Sequence, residues 1–239
     1  MSHSPTTYQG IIARAGFSLD EEQLGRLAQY ATLLLEWNQR VNLVSRKDES
    51  NIWPAHILHS LTILMGMNVP DHAKVADLGS GGGLPGIPIA IALPTVEVVL
   101  IESIRKKCLA LGDMIDRLNL NNTSVINARA EDLGAKGDHE HSFDLILARA
   151  VAPLADLVKW SLPLVRRDQR LNIRLCGKDR EDESLALPAL IALKGGSIEE
   201  EIRDVRNGTK LRYMKSSPIR FEGIEEAGLV DKSLIIIGL

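Results

Sequence analysis

The hydrophobic pattern changes period once along the chain, and that change predicts the architecture. From about residue 7 to residue 41 it is helical, with apolar positions at Leu24, Leu27, Ala28, Ala31, Leu34, Leu35 and Val41, spaced for one face of a helix. Within that stretch Ser18-Leu19-Asp20-Glu21-Glu22 is a capping sequence with acids in the first turn. Residues 52–65 repeat the helical spacing, placing Ile57, Leu58, Leu61 and Leu64 on one side. Both stripes need a surface to cover. The pattern then alternates, predicting strands at 74–78, 97–101, 124–127 and 143–148, helices at 86–93 and 103–118, and a polar loop at 134–141. This βαβαβ order implies a parallel sheet with right-handed crossovers.

After a helical stretch at 155–164 the regularity loosens. Residues 166–184 are charged and poorly periodic. They are followed by an apolar run, 185–193, that ends in Lys194-Gly195 and reads as a fifth strand. A helix at 198–205 and a closing strand at 233–237 complete the reading. The expectation is a helical N-terminal extension, 1–66, on an α/β domain, 67–239.

Composition narrows the class. The 239 residues are 45% hydrophobic and 25% charged, as in ordinary globular proteins. No apolar run approaches the roughly 20 residues of a membrane span, and Met1-Ser2-His3-Ser4-Pro5 has no basic region leading into an apolar one. The expected address is the cytoplasm, without membrane attachment. Cys108 and Cys176 lack a C-x-x-C spacing, which removes metal, redox-motif and disulfide-framework readings together; both are expected to be buried or inert. The net charge of −3 conceals a basic segment, 157–220, with 14 cations against 9 acids. Such a segment fits a nucleic-acid footprint or a solvated helix face equally well.

The candidate chemistry begins at Asp77-Leu78-Gly79-Ser80-Gly81-Gly82-Gly83-Leu84-Pro85-Gly86, where a predicted strand runs into glycines and then into a helix. A dinucleotide pattern, G-x-G-x-x-G, overlies Gly81, Gly83 and Gly86, but places Pro85 where a pyrophosphate would use an N–H. The acidic-x-Gly-x-Gly-x-Gly register of S-adenosylmethionine methyltransferases overlies Asp77, Gly79, Gly81 and Gly83, starts where the strand ends, and is favoured. In open α/β sheets ligands sit beyond the carboxyl ends of the strands. Those ends carry Glu102, an acceptor for ribose hydroxyls, then Arg129-Ala130-Glu131-Asp132, then Arg149. Leu147-Ala148-Arg149-Ala150 lacks the Asn/Asp-Pro-Pro-aromatic sequence of amino-group methyltransferases, and neither cysteine lies in a nucleophile context. The remaining acceptor needs no deprotonation. Guanine N7 qualifies, because its lone pair is already available, with Arg149 as an orienting donor.

These residues resemble the ribosomal RNA small-subunit methyltransferase G family. The resemblance rests on residues 77–88, where Gly-Leu-Pro-Gly-Ile-Pro follows the glycines. Supporting it are Trp37-Asn38, Val41-Asn42-Leu43, His56-Ile57-Leu58, residues 103–107, Arg129-Ala130-Glu131 and Arg149-Ala150. It implies a class I, Rossmann-like fold with a mostly parallel seven-stranded sheet, and methylation of a guanosine N7 in the 530 loop of 16S rRNA. The donor is S-adenosylmethionine, with no metal; the partner is the small ribosomal subunit or its assembly intermediate, with no obligatory protein partner. It implies cofactor contacts at Gly79, Leu84, Ala130, Glu131 and Arg149, beside Asp77, Gly81 and Glu102, and basic residues for RNA at Lys106, Arg129, Lys194 and Lys232. The chain departs from the family at His59, where an Asp is usual, at Lys232, where Arg is usual, and in lacking Pro-Gly-Gly before strand five.

Three rivals stay open. A nicotinamide-dependent reductase would need a Tyr-x-x-x-Lys pair, which Tyr8, Tyr30 and Tyr213 all lack. A cofactor-binding protein without catalysis and a small-molecule methyltransferase are the other two.

Overall fold

A computed structural model describes residues 5–134, 139–168, 171–175 and 183–239. The chain opens with α1 (Pro5–Arg14) and α2 (Glu21–Asn38), then a 3-10 turn (Arg46–Asn51), a π-helix (Ile52–Leu58) and α3 (His59–Gly66). There follow β1 (Met67–Asn68), β2 (Lys74–Leu78), α4 (Gly86–Ala92), β3 (Glu97–Glu102), α5 (Arg105–Leu118), β4 (Thr123–Asn127), α6 (Ala130–Leu133), β5 (Leu145–Arg149) and α7 (Leu154–Ser161). The remainder comprises β6 (Asn172–Leu175), β7 (Ser184–Ala186), β8 (Ala189–Gly195), α8 (Glu199–Gly208), β9 (Tyr213–Pro218) and β10 (Lys232–Gly238).

Seven strands form one sheet in the order β4-β3-β2-β5-β8-β10-β9. Every pairing from β4 to β8 is parallel, and β10 alone reverses, pairing antiparallel with both β8 and β9. The order turns back on itself between β2 and β5, which opens the crevice where a ligand fits. Strict alternation divides the sheet's two faces. Val75, Val98, Leu100, Leu145, Leu147, Ile191, Leu193, Leu234 and Ile236 pack on the N-terminal helices, α4 and α5. Their neighbours Ala76, Leu78, Val99, Ile101, Ile146, Ala148, Leu190, Ala192, Ile235 and Ile237 pack on α6, α7 and α8.

The structure differs from the sequence reading at the ends of this frame. The expected single helix over 7–41 is two helices, because Gly16 turns with φ +85° and Asp20 starts a new helix. Asp20 accepts from the Gln23 amide N–H at 2.7 Å, and the Gln23 side chain accepts from the Asp20 N–H at 2.9 Å, a reciprocal capping box. The helix expected at 52–65 begins as a π-helix. The apolar run at 185–193 is two strands, β7 and β8, in different sheets, since β7 joins β1 and β6 in a small three-stranded sheet. The fourth predicted strand begins two residues later than expected, with Phe143 making only a bridge to Val165. Strand β9 was not predicted. Much of the expected irregular stretch 166–184, with Cys176, lies outside the described residues. Among the described residues no helix is long and apolar enough to cross a membrane.

Helix α2 is bound to the sheet side by named contacts. Gln23 Nε2 donates to the terminal α4 carbonyl of Ala92 at 3.0 Å, Trp37 Nε1 donates to Asp113 Oδ2 of α5 at 2.7 Å, and the buried Tyr30 hydroxyl donates to the Gly82 carbonyl at 2.9 Å. Trp53 stacks on Tyr8 with ring centroids 5.8 Å apart. Replacing Tyr30 with Phe keeps the packing and leaves the Gly82 carbonyl without its donor. The expected loss is about 1–2 kcal/mol, read as a lower urea midpoint with an unchanged m-value.

Candidate active site

Strand alternation decides where the functional side chains point. Asp77, Glu102 and Arg149 share the parity of Val75, Leu100 and Leu147, so all three lie on the side of the N-terminal helices. Lys194 shares the parity of Leu190 and Ala192 and turns to the other side. There its Nζ donates to Ala152 O at 2.7 Å and to Glu201 Oε2 of α8 at 2.8 Å.

The glycine loop is held from three directions. Asp77 is completely buried, and its Oδ2 accepts from the Gly86 N–H at 3.0 Å at the start of α4. Glu102 Oε2 accepts from the Gly81 N–H at 3.0 Å while its Oε1 accepts from the Ile104 N–H at 2.8 Å. Tyr30 holds the Gly82 carbonyl. Several glycines of the loop leave no room for a Cβ, and two bear directly on the site. A Cβ on Gly86 would lie 2.3 Å from Leu100 Cδ2 and 2.8 Å from Asp77 Oδ2. One on Gly79, whose φ is +64°, would lie 2.6 Å from Val151 Cγ1, so the loop touches the segment that follows β5.

Arg149 ends β5 and reaches into the N-terminal helices. Its guanidinium donates to Ala55 O at 3.2 Å and lies 2.9 Å from His56 Nδ1. Burial, then the Arg149 charge, pushes His56 down to about 4. A neutral ring can accept at Nδ1, and its Nε2 faces Asp48 Oδ2 at 3.5 Å. Burial and the charges of Arg149 and Lys232 push His59 down to about 3. Burial pushes Asp77 up to about 7, against the Gly86 hydrogen bond and Arg149, which pull it down.

Two cavities flank this segment. One, of about 330 Å³, is bordered by Gly79, Gly81, Leu84, Glu102 and Lys107. The other, of about 680 Å³, is bordered by Asp48, His56, His59, Lys194, Glu201 and Lys232. Arg149, Ala150 and Val151 border both.

Of the residues expected at the site, Gly79, Gly81, Leu84, Glu102 and Arg149 meet at the first cavity, and Lys194 and Lys232 join Arg149 at the second. Asp77 lies beneath the loop. Ala130, Glu131, Arg129 and Lys106 border neither cavity: Arg129 and Ala130 stand at the start of α6, with Arg129 Nη1 3.3 Å from Glu131 Oε1, and Lys106 is exposed in the first turn of α5. Sequence reasoning gave no site role to Leu43, Lys107, Asp48, Glu201 or His56. The pairing of His56 with Arg149, 93 positions away, has no local signal. Cys108 is partly buried, its thiol 3.2 Å from Glu102 O. Among the described residues no group of three or more metal-ligating side chains gathers.

The histidines set an acid limit to stability. Each has a folded value below the ordinary His value, so the unfolded chain binds more protons between about pH 6.5 and 4, and stability falls as pH drops through that window. Asp77, with a raised value, works in the opposite sense between about 4 and 7. Replacing His59 with Gln removes one histidine contribution, up to about 1.4 kcal/mol per pH unit. Urea unfolding from pH 7 to pH 4 should show a flatter stability loss in that variant than in the parent.

Comparison with known proteins agrees with this geometry. A family model described as rRNA small subunit methyltransferase G matches residues 23–207. The ribosomal RNA small subunit methyltransferase G of Chlorobium luteolum is 37% identical over 210 residues, 87% of this chain and 78% of its own. That of Porphyromonas gingivalis is 40% identical over 190 residues, 79% of this chain and 77% of its own. Among solved structures, a predicted O-methyltransferase from Agrobacterium tumefaciens aligns with a TM-score of 0.53 at 15% identity, over 76% of this chain and 79% of its own. A chain of a fibrillarin/Nop5p complex aligns at 0.54 and 13%, over 79% and 83%. These two likenesses speak for the class I methyltransferase fold alone. The match of the family model and the identity of the relatives decide the rest: this chain belongs to the rRNA small subunit methyltransferase G family.

Proposed function

We propose that this chain transfers a methyl group from S-adenosylmethionine to N7 of a guanosine in the 530 loop of 16S rRNA, working in the cytoplasm on the small ribosomal subunit or its assembly intermediate. The observation that carries this reading is the common wall. Arg149-Ala150-Val151 separates a glycine-lined cavity bearing a carboxylate from a larger cavity bearing cations, as a transfer between two bound molecules requires.

The first cavity fits the cofactor's chemistry. Glu102 has acceptor capacity beyond its two backbone donors and suits ribose hydroxyls. Gly79 and Gly81 keep side chains out of the approach, Leu84 supplies an apolar cover, and Lys107 supplies a cation for a carboxylate. Asp77 shapes the loop from below. Ala130 and Glu131 follow β4, the strand beside β3, and are assigned to the adenine end of the cofactor on that position. When bound, S-adenosylmethionine would supply an electrophilic methyl on a sulfonium, and its transfer to N7 would leave a thioether and a cationic 7-methylguanine.

On the acceptor side no residue needs to remove a proton. Arg149 is catalytic in the sense of orientation: Ala55 O and His56 engage part of its fork, and its other N–H groups can meet the guanine O6 edge beside N7. Lys194 and Lys232 line the same cavity, and the exposed Lys106 and Arg129 are assigned to the RNA backbone by their charge and exposure.

The test is transfer from labelled S-adenosylmethionine to small subunits lacking this modification, followed by mapping of the labelled guanine. Replacing Arg149 with Ala should lower kcat/KM at least about 100-fold, and Lys should restore little because it lacks the fork. Calorimetry should show cofactor affinity falling far less than kcat/KM, since Arg149 borders that cavity as one residue among several. Full activity in the Ala variant would refute the role of Arg149, and cofactor binding without RNA labelling would refute the reaction.

A further inference from the structure

We propose that the loop after α2 forms a second anion site, built by Arg40 and Arg46 with Gln39 and Asn42, that holds a phosphodiester of the RNA strand next to the methylated nucleotide. This deepens the function proposed above and rests on it.

The site is a third cavity, of about 560 Å³, bordered by Asn38, Gln39, Arg40, Asn42, Ser45 and Arg46. All six are polar and none is a carboxylate. Its shape is imposed from inside: Asn38 Oδ1 accepts from the N–H groups of Leu43 at 2.8 Å and Val44 at 3.0 Å, while its Nδ2 donates to Glu49 Oε1 at 2.7 Å. Those bonds fix the turn that carries the donors. Arg40 is oriented by the Trp37 ring, 5.3 Å from its guanidinium carbon, and its nearest acid, Glu36, is 3.8 Å away. Its side chain nevertheless remains 63% exposed. Arg46 and Asn42 are exposed as well. The α2 C-terminus contributes roughly half a negative charge at this place, which two full guanidinium charges outweigh.

Two guanidinium forks and side-chain amides match phosphate oxygens, the first through paired N–H bonds. Position names the phosphate's owner. Residues 38–48 pass all three cavities in turn: Asn38 to Arg46 border this one, Leu43 borders the glycine-loop cavity, and Asp48 borders the acceptor cavity. A strand delivering its base to the acceptor cavity can leave along this wall, where two guanidinium groups and no carboxylate border the cavity.

The experiment uses the full chain with small-subunit RNA and compares the parent with Arg40→Gln/Arg46→Gln, taking Lys159→Gln, on the opposite face of the sheet, as a charge control. Circular dichroism checks folding. The double variant should bind RNA about tenfold more weakly near 0.1 M salt, and its slope of log affinity against log salt should fall by roughly 1.4 to 1.8. Its cofactor affinity should be unchanged. RNA affinity and slope equal to the parent's would overturn this site while leaving the methyltransferase reading intact. Activity lost only on assembled particles, with RNA binding retained, would assign the site to an acidic protein surface and overturn it too. A parent chain that binds cofactor but no RNA would overturn both readings.

Discussion

The hydrogen bond from the Gly86 N–H to the buried Asp77 carboxylate is the constraint on which the rest of the site depends. It ties the end of β2 to the first turn of α4, so the eight residues between must fold as a compact loop. A buried carboxylate is costly to keep charged, and one N–H with a nearby guanidinium compensates only in part, which is why its titration moves up to about 7. Glu102 then fixes Gly81, and Tyr30 fixes Gly82. Three separate elements thus determine a loop that would otherwise be among the most flexible stretches of the chain.

The N-terminal helices belong to the chemistry as well as to the packing. They share one hydrophobic core with the near face of the sheet, and they supply Leu43, Asp48, His56 and Tyr30 to the site. Arg149 could not stand where it does without them, because its odd position in β5 aims it away from α7 and into the π-helix, where Ala55 O and a neutral His56 receive it. Packing and orientation of the candidate catalytic group are therefore one event. Because the tie between Arg149 and His56 joins the helical segment to a sheet strand, losing the helices would remove the acceptors that orient the guanidinium.

The central sheet was legible because β2, β3 and β5 are short, near-continuous apolar runs of five or six residues, the local signature of strands buried on both faces. The glycine loop was legible for a sharper reason: Gly79 and Gly86 stand where any Cβ would collide within 2.6 Å, so the motif records a packing requirement. What was not legible depends on distant partners. His56 reads as a helical residue until Arg149 arrives from the far end of the crevice. The run at 185–193 looks like one strand because nothing local shows that Ser184–Ala186 pairs in a different sheet. Strand β9 has Lys, Ser and Pro in its six residues and is only half-buried at the sheet edge, so it lacks a clean alternation. Summing charge over long segments pointed to 157–220 and passed over Arg40 and Arg46, which lie in the acid-rich first hundred residues.

One departure from the family pattern gains meaning from this geometry. His59 stands where the resemblance to the family leads one to expect an Asp, and its burial, with the charges of Arg149 and Lys232 beside it, holds it neutral. The acceptor cavity is therefore bordered by three cations, Arg149, Lys194 and Lys232, against two carboxylates, Asp48 and Glu201. A carboxylate at position 59 would balance them. With Lys194 already engaged by Glu201 at 2.8 Å, the uncompensated charge lies between Arg149 and Lys232. A cavity of that sign favours a polyanionic strand and opposes a cationic small acceptor. Substituting a neutral imidazole for the usual acid strengthens that preference without adding a side chain that must itself be neutralised.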